Sequence, residues 1–167
     1  MIADMGRTIV LGDERFPFDL TSLDRRADGA DTAIVWATDL REVTETAAAK
    51  QLARATHAVT RLASTMLDLR RIVVVYVRAR SGRSTRLARA AARLAKVANH
   101  DLERRRGYST DVVFLDATGC EDAGALRSRL HECADGNIGL VLTGDVLLSW
   151  DEIRHRTVRD VVLERDI

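Results

Sequence analysis

Apolar residues fall along this chain in two alternating rhythms. Short, nearly unbroken apolar runs stand between longer segments whose apolar residues recur every third or fourth position. The runs TAIVWAT (Thr32–Thr38), RIVVVYV (Arg71–Val77), DVVFLD (Asp111–Asp116) and IGLVLTG (Ile138–Gly144) predict strands. A strand apolar at successive positions, and not only at alternate ones, must be covered on both faces of its sheet. The spaced segments predict helices. One opens at Asp39, with Glu42 in capping-box position, and reaches about Leu69; Leu52, Ala55, Val59, Leu62, Met66 and Leu69 make one stripe along it. The next carries Leu87, Ala91, Leu94, Ala98 and Leu102 inward and stops at Gly107. A third covers Glu121–Ala134, and Ser149 with Glu152 opens a last helix to about Glu164.

Strand and helix repeated in this way predict an α/β fold: a single three-layer domain with a mainly parallel sheet flanked by helices. Ahead of it, TIVLGDERFPFDL (Thr8–Leu20) predicts a hairpin turning at Gly12-Asp13. Residues 1–30 then form a hairpin extension and residues 31–167 the alternating core. Pro17 is the single proline, and no linker, repeat or low-complexity tract marks another boundary. The long stripe of the Asp39–Leu69 helix can also serve a homodimer, with core packing its expected use.

Composition adds limits. Apolar residues make up 46% and charged residues 31% of the 167 positions, as in ordinary soluble domains. No apolar run approaches the ~20 residues of a membrane span. The start MIADMGRTIV has no secretory pattern, and Cys120 and Cys133 are the only cysteines, read as reduced thiols; a cytoplasmic location is expected. Two cysteines and four scattered histidines show no metal-ligand spacing, so neither a metal nor a cofactor is expected. The net charge of +1 hides an asymmetry. Arg78 to Arg106 holds nine arginines and one lysine against Asp101 and Glu103, a balance of +8 that leaves −7 for the remainder. Such a split points to an anionic partner or an acidic protein surface.

In an open parallel sheet, ligands sit beyond the carboxyl ends of the strands. The stretch after Val77 is the most distinctive there. Ser81, Gly82, Ser84 and Thr85 offer hydroxyls and backbone N–H groups at a helix N-terminus, and Arg78, Arg80 and Arg83 add forked cations; together they suit a phosphate or carboxylate. The spacing is not that of a P-loop, and one glycine stands where a dinucleotide fingerprint needs three. The plain alternative is a serine cap worth ~1 kcal/mol. Further along, Arg86, Arg89, Arg93 and Lys96 form one helical face suited to a phosphate backbone, without the interleaved aromatics that base stacking needs; the plain alternative is a solvated helix face. Asp116 and Asp145, each at a strand end, are candidate crevice carboxylates; Asp13 and Asp39 are weaker ones. His57 and His155 read as surface residues. No nucleophile elbow, metalloprotease motif or Ser/His/Asp order can be assembled.

From about Arg71 to Leu148 the order of features resembles the catalytic domain of serine recombinases (the resolvase/invertase family). The matching residues are Tyr76-Val77-Arg78-Ala79-Arg80-Ser81, Arg106-Gly107-Tyr108, Phe114–Asp116, Gly124 with Leu126 and Leu130, Asp135-Gly136, and IGLVLTGDVL. Alignment puts Arg80 where that family has its nucleophilic serine, and Val146 to Ser149 where it has two arginines. The resemblance therefore implies a non-catalytic relative. Ala37-Thr38-Asp39-Leu40, followed by a helix and Arg71–Gly82, resembles the crotonase (enoyl-CoA hydratase-like) order, in which such segments supply oxyanion-hole amides. The expected function is a non-catalytic binding or regulatory module for an anionic partner, nucleic acid or a phosphate-bearing ligand. The alternatives are a small enzyme or accessory subunit acting on a phosphorylated or acyl-CoA-type substrate in the strand-end crevice, and a protein-docking module.

Overall fold

In a computed structural model, residues 7–23, 32–79, 84–134 and 145–165 are described. Five strands, β1 (Thr8–Gly12), β2 (Thr32–Leu40), β3 (Leu69–Arg78), β4 (Asp111–Asp116) and β5 (Asp145–Ser149), form one sheet in the order β1-β2-β3-β4-β5. Every neighbouring pair is parallel. The helices are α1 (Glu45–Ala63), α2 (Thr85–Arg106), α3 (Ala123–Ala134), α4 (Trp150–Ile153) and α5 (Val158–Arg165). The predicted three-layer α/β fold is the fold observed.

The central strand shows why. Along β3, Ile72, Val74 and Tyr76 enter the core beneath α1 and α2, while Val73, Val75 and Val77 enter the core beneath α3 and α5. Side chains alternate across a strand, so an unbroken apolar run supplies two cores at once. β4 repeats the device, with Val112 and Phe114 on one side and Val113 and Leu115 on the other.

The N-terminal segment departs from expectation. Thr8–Gly12 is not one arm of a hairpin; it is an edge strand in parallel register with Ala33–Ala37. The turn at Gly12-Asp13 sends the chain back across the sheet, where Phe16, Leu20 and Leu23 join the α3-side core. Two-residue hairpins need a partner strand immediately after the turn, and the apolar residues here are used as cover instead. Gly12 has a φ of +126°, and a Cβ there would lie 2.0 Å from the Ala37 carbonyl oxygen. Only glycine fits so close an approach. β1 thus belongs to the same sheet as the core strands.

Helix boundaries moved for equally local reasons. β2 runs through Asp39 to Leu40, so the first helix is capped by Thr44, whose Oγ1 accepts the Ala47 N–H at 3.3 Å. That helix ends at Ala63, and Leu69 is already the first residue of β3. The stripe still packs inward at Leu52, Ala55 and Val59, while Leu62 is exposed. Gly107 ends α2 in the left-handed conformation, as its position predicts. The Ser149–Glu152 pairing is present, with the Glu152 carboxylate accepting from the Ser149 N–H at 2.9 Å and from its hydroxyl at 2.8 Å. It opens a single turn only, and α5 follows separately. The predicted strand Ile138–Gly144 lies outside the described residues.

A sequential strand order means that each connection steps the same way across the sheet. Yet α1 and α2 cover one face, whereas the Phe16–Leu23 segment and α3 cover the other. The β2-α1-β3 and β3-α2-β4 crossovers therefore run over one face, and α3, which follows β4, lies on the other. The chain leaves β3 and β4 toward opposite faces, the kind of divergence beside which ligands sit in open parallel sheets.

Candidate functional site

The carboxyl ends of β3 and β4 are joined by an internal ion pair. Arg78, the last residue of β3, donates from Nε to Oδ2 of Asp116, the last residue of β4, at 2.9 Å. The Arg78 backbone N–H donates to Thr118 Oγ1 at 3.0 Å, and the Thr118 N–H returns to Asp116 Oδ1 at 3.0 Å. Both charged side chains are less than one-fifth exposed. Below them Tyr76 is buried, and loss of hydration, with the Asp116 charge second, pushes its phenol well above its ordinary value. Arg78 is therefore engaged inside the protein before any ligand arrives.

Arg80, Ser81, Gly82 and Arg83 lie outside the described residues. Ser84 is the N-cap of α2, accepting the Leu87 N–H at 3.0 Å. Its hydroxyl also donates to the carboxylate of Glu45, the first residue of α1. Thr85 follows, exposed. With Leu40, Val43 and Arg86 these residues line a recess of about 300 Å³. Glu45, Arg78 and Arg86 all line it, so a carboxylate that opposes an anion stands there beside two guanidinium groups that favour one.

Asp145 does not share the crevice with Asp116. It opens β5 opposite Val112, whereas Asp116 stands opposite Ser149 at the other end of the ladder. Four residues of strand separate the two levels, about 13 Å. The physical reason is that Val146 and Leu148 pack toward α3 and α5 while Leu147 packs toward α2, so these residues occupy the strand. The weaker carboxylates are spoken for. Asp39 receives the Arg41 guanidinium at 2.8 and 2.9 Å, and that contact holds its carboxyl below the usual range. Asp13 caps its own turn, accepting the Arg15 N–H at 2.9 Å. His57 is exposed on α1, and His155 is exposed between α4 and α5, away from the crevice. Among the described residues no cluster of His, Cys, Asp and Glu could hold a metal ion. Both cysteines are buried and unpaired in disulfides; burial pushes the Cys133 thiol up to about 12, which keeps it protonated and inert.

The other predicted feature is assembled intact. Arg86, Arg89, Arg93 and Lys96 are all exposed along α2, opposite its buried face of Leu87, Ala91, Ala95, Ala98 and Leu102. Among the described residues no carboxylate forms an ion pair with any of the four. Further along α2 the pattern changes: Asp101 pairs with Arg104 and Arg105 at 3.0 Å each. Arg106 turns inward, donating to the carbonyls of Met66 and Leu69 at 2.7 Å each and to Thr110 Oγ1 at 2.7 Å. Its guanidinium and that of Arg70 lie 4.2 and 4.5 Å from the Tyr108 ring centre.

Sequence reasoning missed a second row. α1 packs beside α2 on the same sheet face, and Lys50, Arg54, His57 and Arg61 are exposed along it at spacings of four, three and four. From Thr46 to Ala63 and from Thr85 to His100 there is no aspartate or glutamate. The signal was present in the spacing and in that missing acid, but only the topology puts the two segments side by side. None of the seven aromatic residues is exposed: Phe18, Trp36 and Tyr108 are half-buried and the other four buried. No described helix is long and apolar enough to cross a membrane.

No protein-family model, curated protein or solved structure matches this chain. The recombinase-like and crotonase-like resemblances rest on the motifs quoted above alone.

Proposed function

We propose that the chain is a non-catalytic binding module that engages nucleic acid through the exposed face of α2. The supporting observation is that Arg86, Arg89, Arg93 and Lys96 stand exposed in one row with no carboxylate partner among the described residues. Cations so placed neutralise phosphates and release counterions, an attraction independent of base sequence. The crevice reading, a small enzyme or accessory subunit acting on a phosphorylated or acyl substrate, has less support. Arg78 is paired with Asp116, and Glu45 lines the adjoining recess.

Fluorescence anisotropy with labelled nucleic acid across a salt series tests the proposal. Binding should weaken steeply with salt, and an Arg86→Gln/Arg89→Gln/Arg93→Gln/Lys96→Gln variant should lose most of it. Binding only to an acidic protein, or saturable stabilisation by phosphate or acyl-CoA that the variant retains, would overturn the proposal.

A further inference from the structure

We infer that the binding surface is two-rowed, α1 supplying Lys50, Arg54 and Arg61 beside the α2 row, and that its partner is duplex rather than single-stranded nucleic acid. The inference rests on the nucleic-acid reading and extends it. The α2 row spans eleven residues of helix and the α1 row twelve, about 15 to 16 Å each. Packed neighbouring helices lie about 8–10 Å apart, so the rows form a rectangular field of seven cations. A duplex presents one phosphate charge per ~1.7 Å of axis, or roughly nine over the same length, on two strands separated by a groove. Two parallel cationic rows match two backbones better than they match one.

The absence of exposed aromatics decides against the single strand. Single-strand binders join a charged groove to aromatic platforms on which bases stack, at about 1–3 kcal/mol per base. Every aromatic of this chain is at least half-buried, and the Tyr108 ring is covered by Arg70 and Arg106. Without stacking, affinity must come from phosphate density, which is greatest on a duplex.

The decisive variant is Lys50→Gln/Arg54→Gln/Arg61→Gln, all three residues being exposed. Binding to a blunt 16-base-pair duplex would be followed from about 50 to 300 mM salt, beside the matching single strand and inorganic phosphate. Wild type should show a log–log salt slope near −6, and the α1 variant should be shallower by about 2 to 3. The duplex should bind at least tenfold more tightly than either single strand, whatever its base composition. Circular dichroism and thermal unfolding should show the variant folded as wild type. An unchanged slope in the α1 variant, with a shallower slope in the α2 variant, would overturn the two-row surface and leave the α2 reading standing. Equal or tighter binding of the single strand would overturn the duplex assignment. Absence of binding to either form would overturn both readings.

Discussion

In the layer built by α3, α4 and α5, arginines end on carboxylates. Arg129 meets Glu132, Arg156 meets Glu164 at 2.7 Å, Arg165 meets Glu152 at 2.6 Å and Arg154 meets Asp151 at 3.7 Å. Glu132 also accepts the Val158 N–H at 2.7 Å, which ties α3 to α5. In the layer built by α1 and α2, seven cations point outward and meet none among the described residues. Both layers cover the same sheet with similar apolar faces, so the difference does not come from packing. On one face four arginines are answered by carboxylates, and on the other a field of seven cations is left to solvent or a partner.

The largest expected effect separates the layers by binding. Replacing Arg86, Arg89, Arg93 and Lys96 by glutamine should weaken duplex binding about a thousandfold near 100 mM salt. Replacing Arg154, Arg156 and Arg159 by glutamine should change it less than about threefold, as measured by anisotropy. Comparable losses in the two variants would erase the distinction.

Stability should show the reverse order. Glu132→Ala removes an acceptor from Arg129 and from the Val158 N–H, and should cost about 1–3 kcal/mol in urea unfolding. Asp116→Ala, which removes the acceptor of both Arg78 Nε and the Thr118 N–H, should cost about 1–3 kcal/mol. Arg93→Ala should cost nothing, or stabilise the fold by a few tenths of a kcal/mol at low salt by relieving repulsion from Arg89 and Lys96. A cost above 1 kcal/mol for Arg93→Ala would reveal a structural role in the basic layer.

The smallest effect is the pH dependence of one paired carboxylate, Glu152. Burial raises the Glu152 pKa, but bonds from Arg165 and Ser149 outweigh it and hold the carboxyl below its ordinary value. A folded pKa below the unfolded one makes the contribution complete above about pH 4.5 and lost as pH falls through the folded value. Glu152→Gln should therefore lower stability at pH 7 and flatten its acid dependence in thermal scans.

The fold was legible wherever one residue pattern had one use. Ile72 to Val77 could only be a strand covered twice, and Asp111–Asp116 was bounded as observed. Boundaries failed where two signals overlapped. Asp39 can cap a helix or end a strand, and the β2–β3 ladder chose the strand. The first segment was misread because a parallel edge strand finds its partner some 25 residues later, beyond any local turn. For the site, the α2 row was visible at helical spacing. The Arg78–Asp116 pair joins residues 38 apart and Asp145 depended on register, so neither placement could be read from the chain.

The two basic rows are pinned at both ends. At one, the Ser84 hydroxyl holds Glu45, joining the starts of α2 and α1. At the other, Arg106 clasps the turn that follows α1 through the Met66 and Leu69 carbonyls. A surface fixed in this way meets its partner already shaped, and the ordering entropy of a flexible basic tail has been spent during folding. The helices thus hold the roots of the seven cationic side chains at a fixed spacing, while the exposed side chains keep their rotamer freedom to follow the anions they meet.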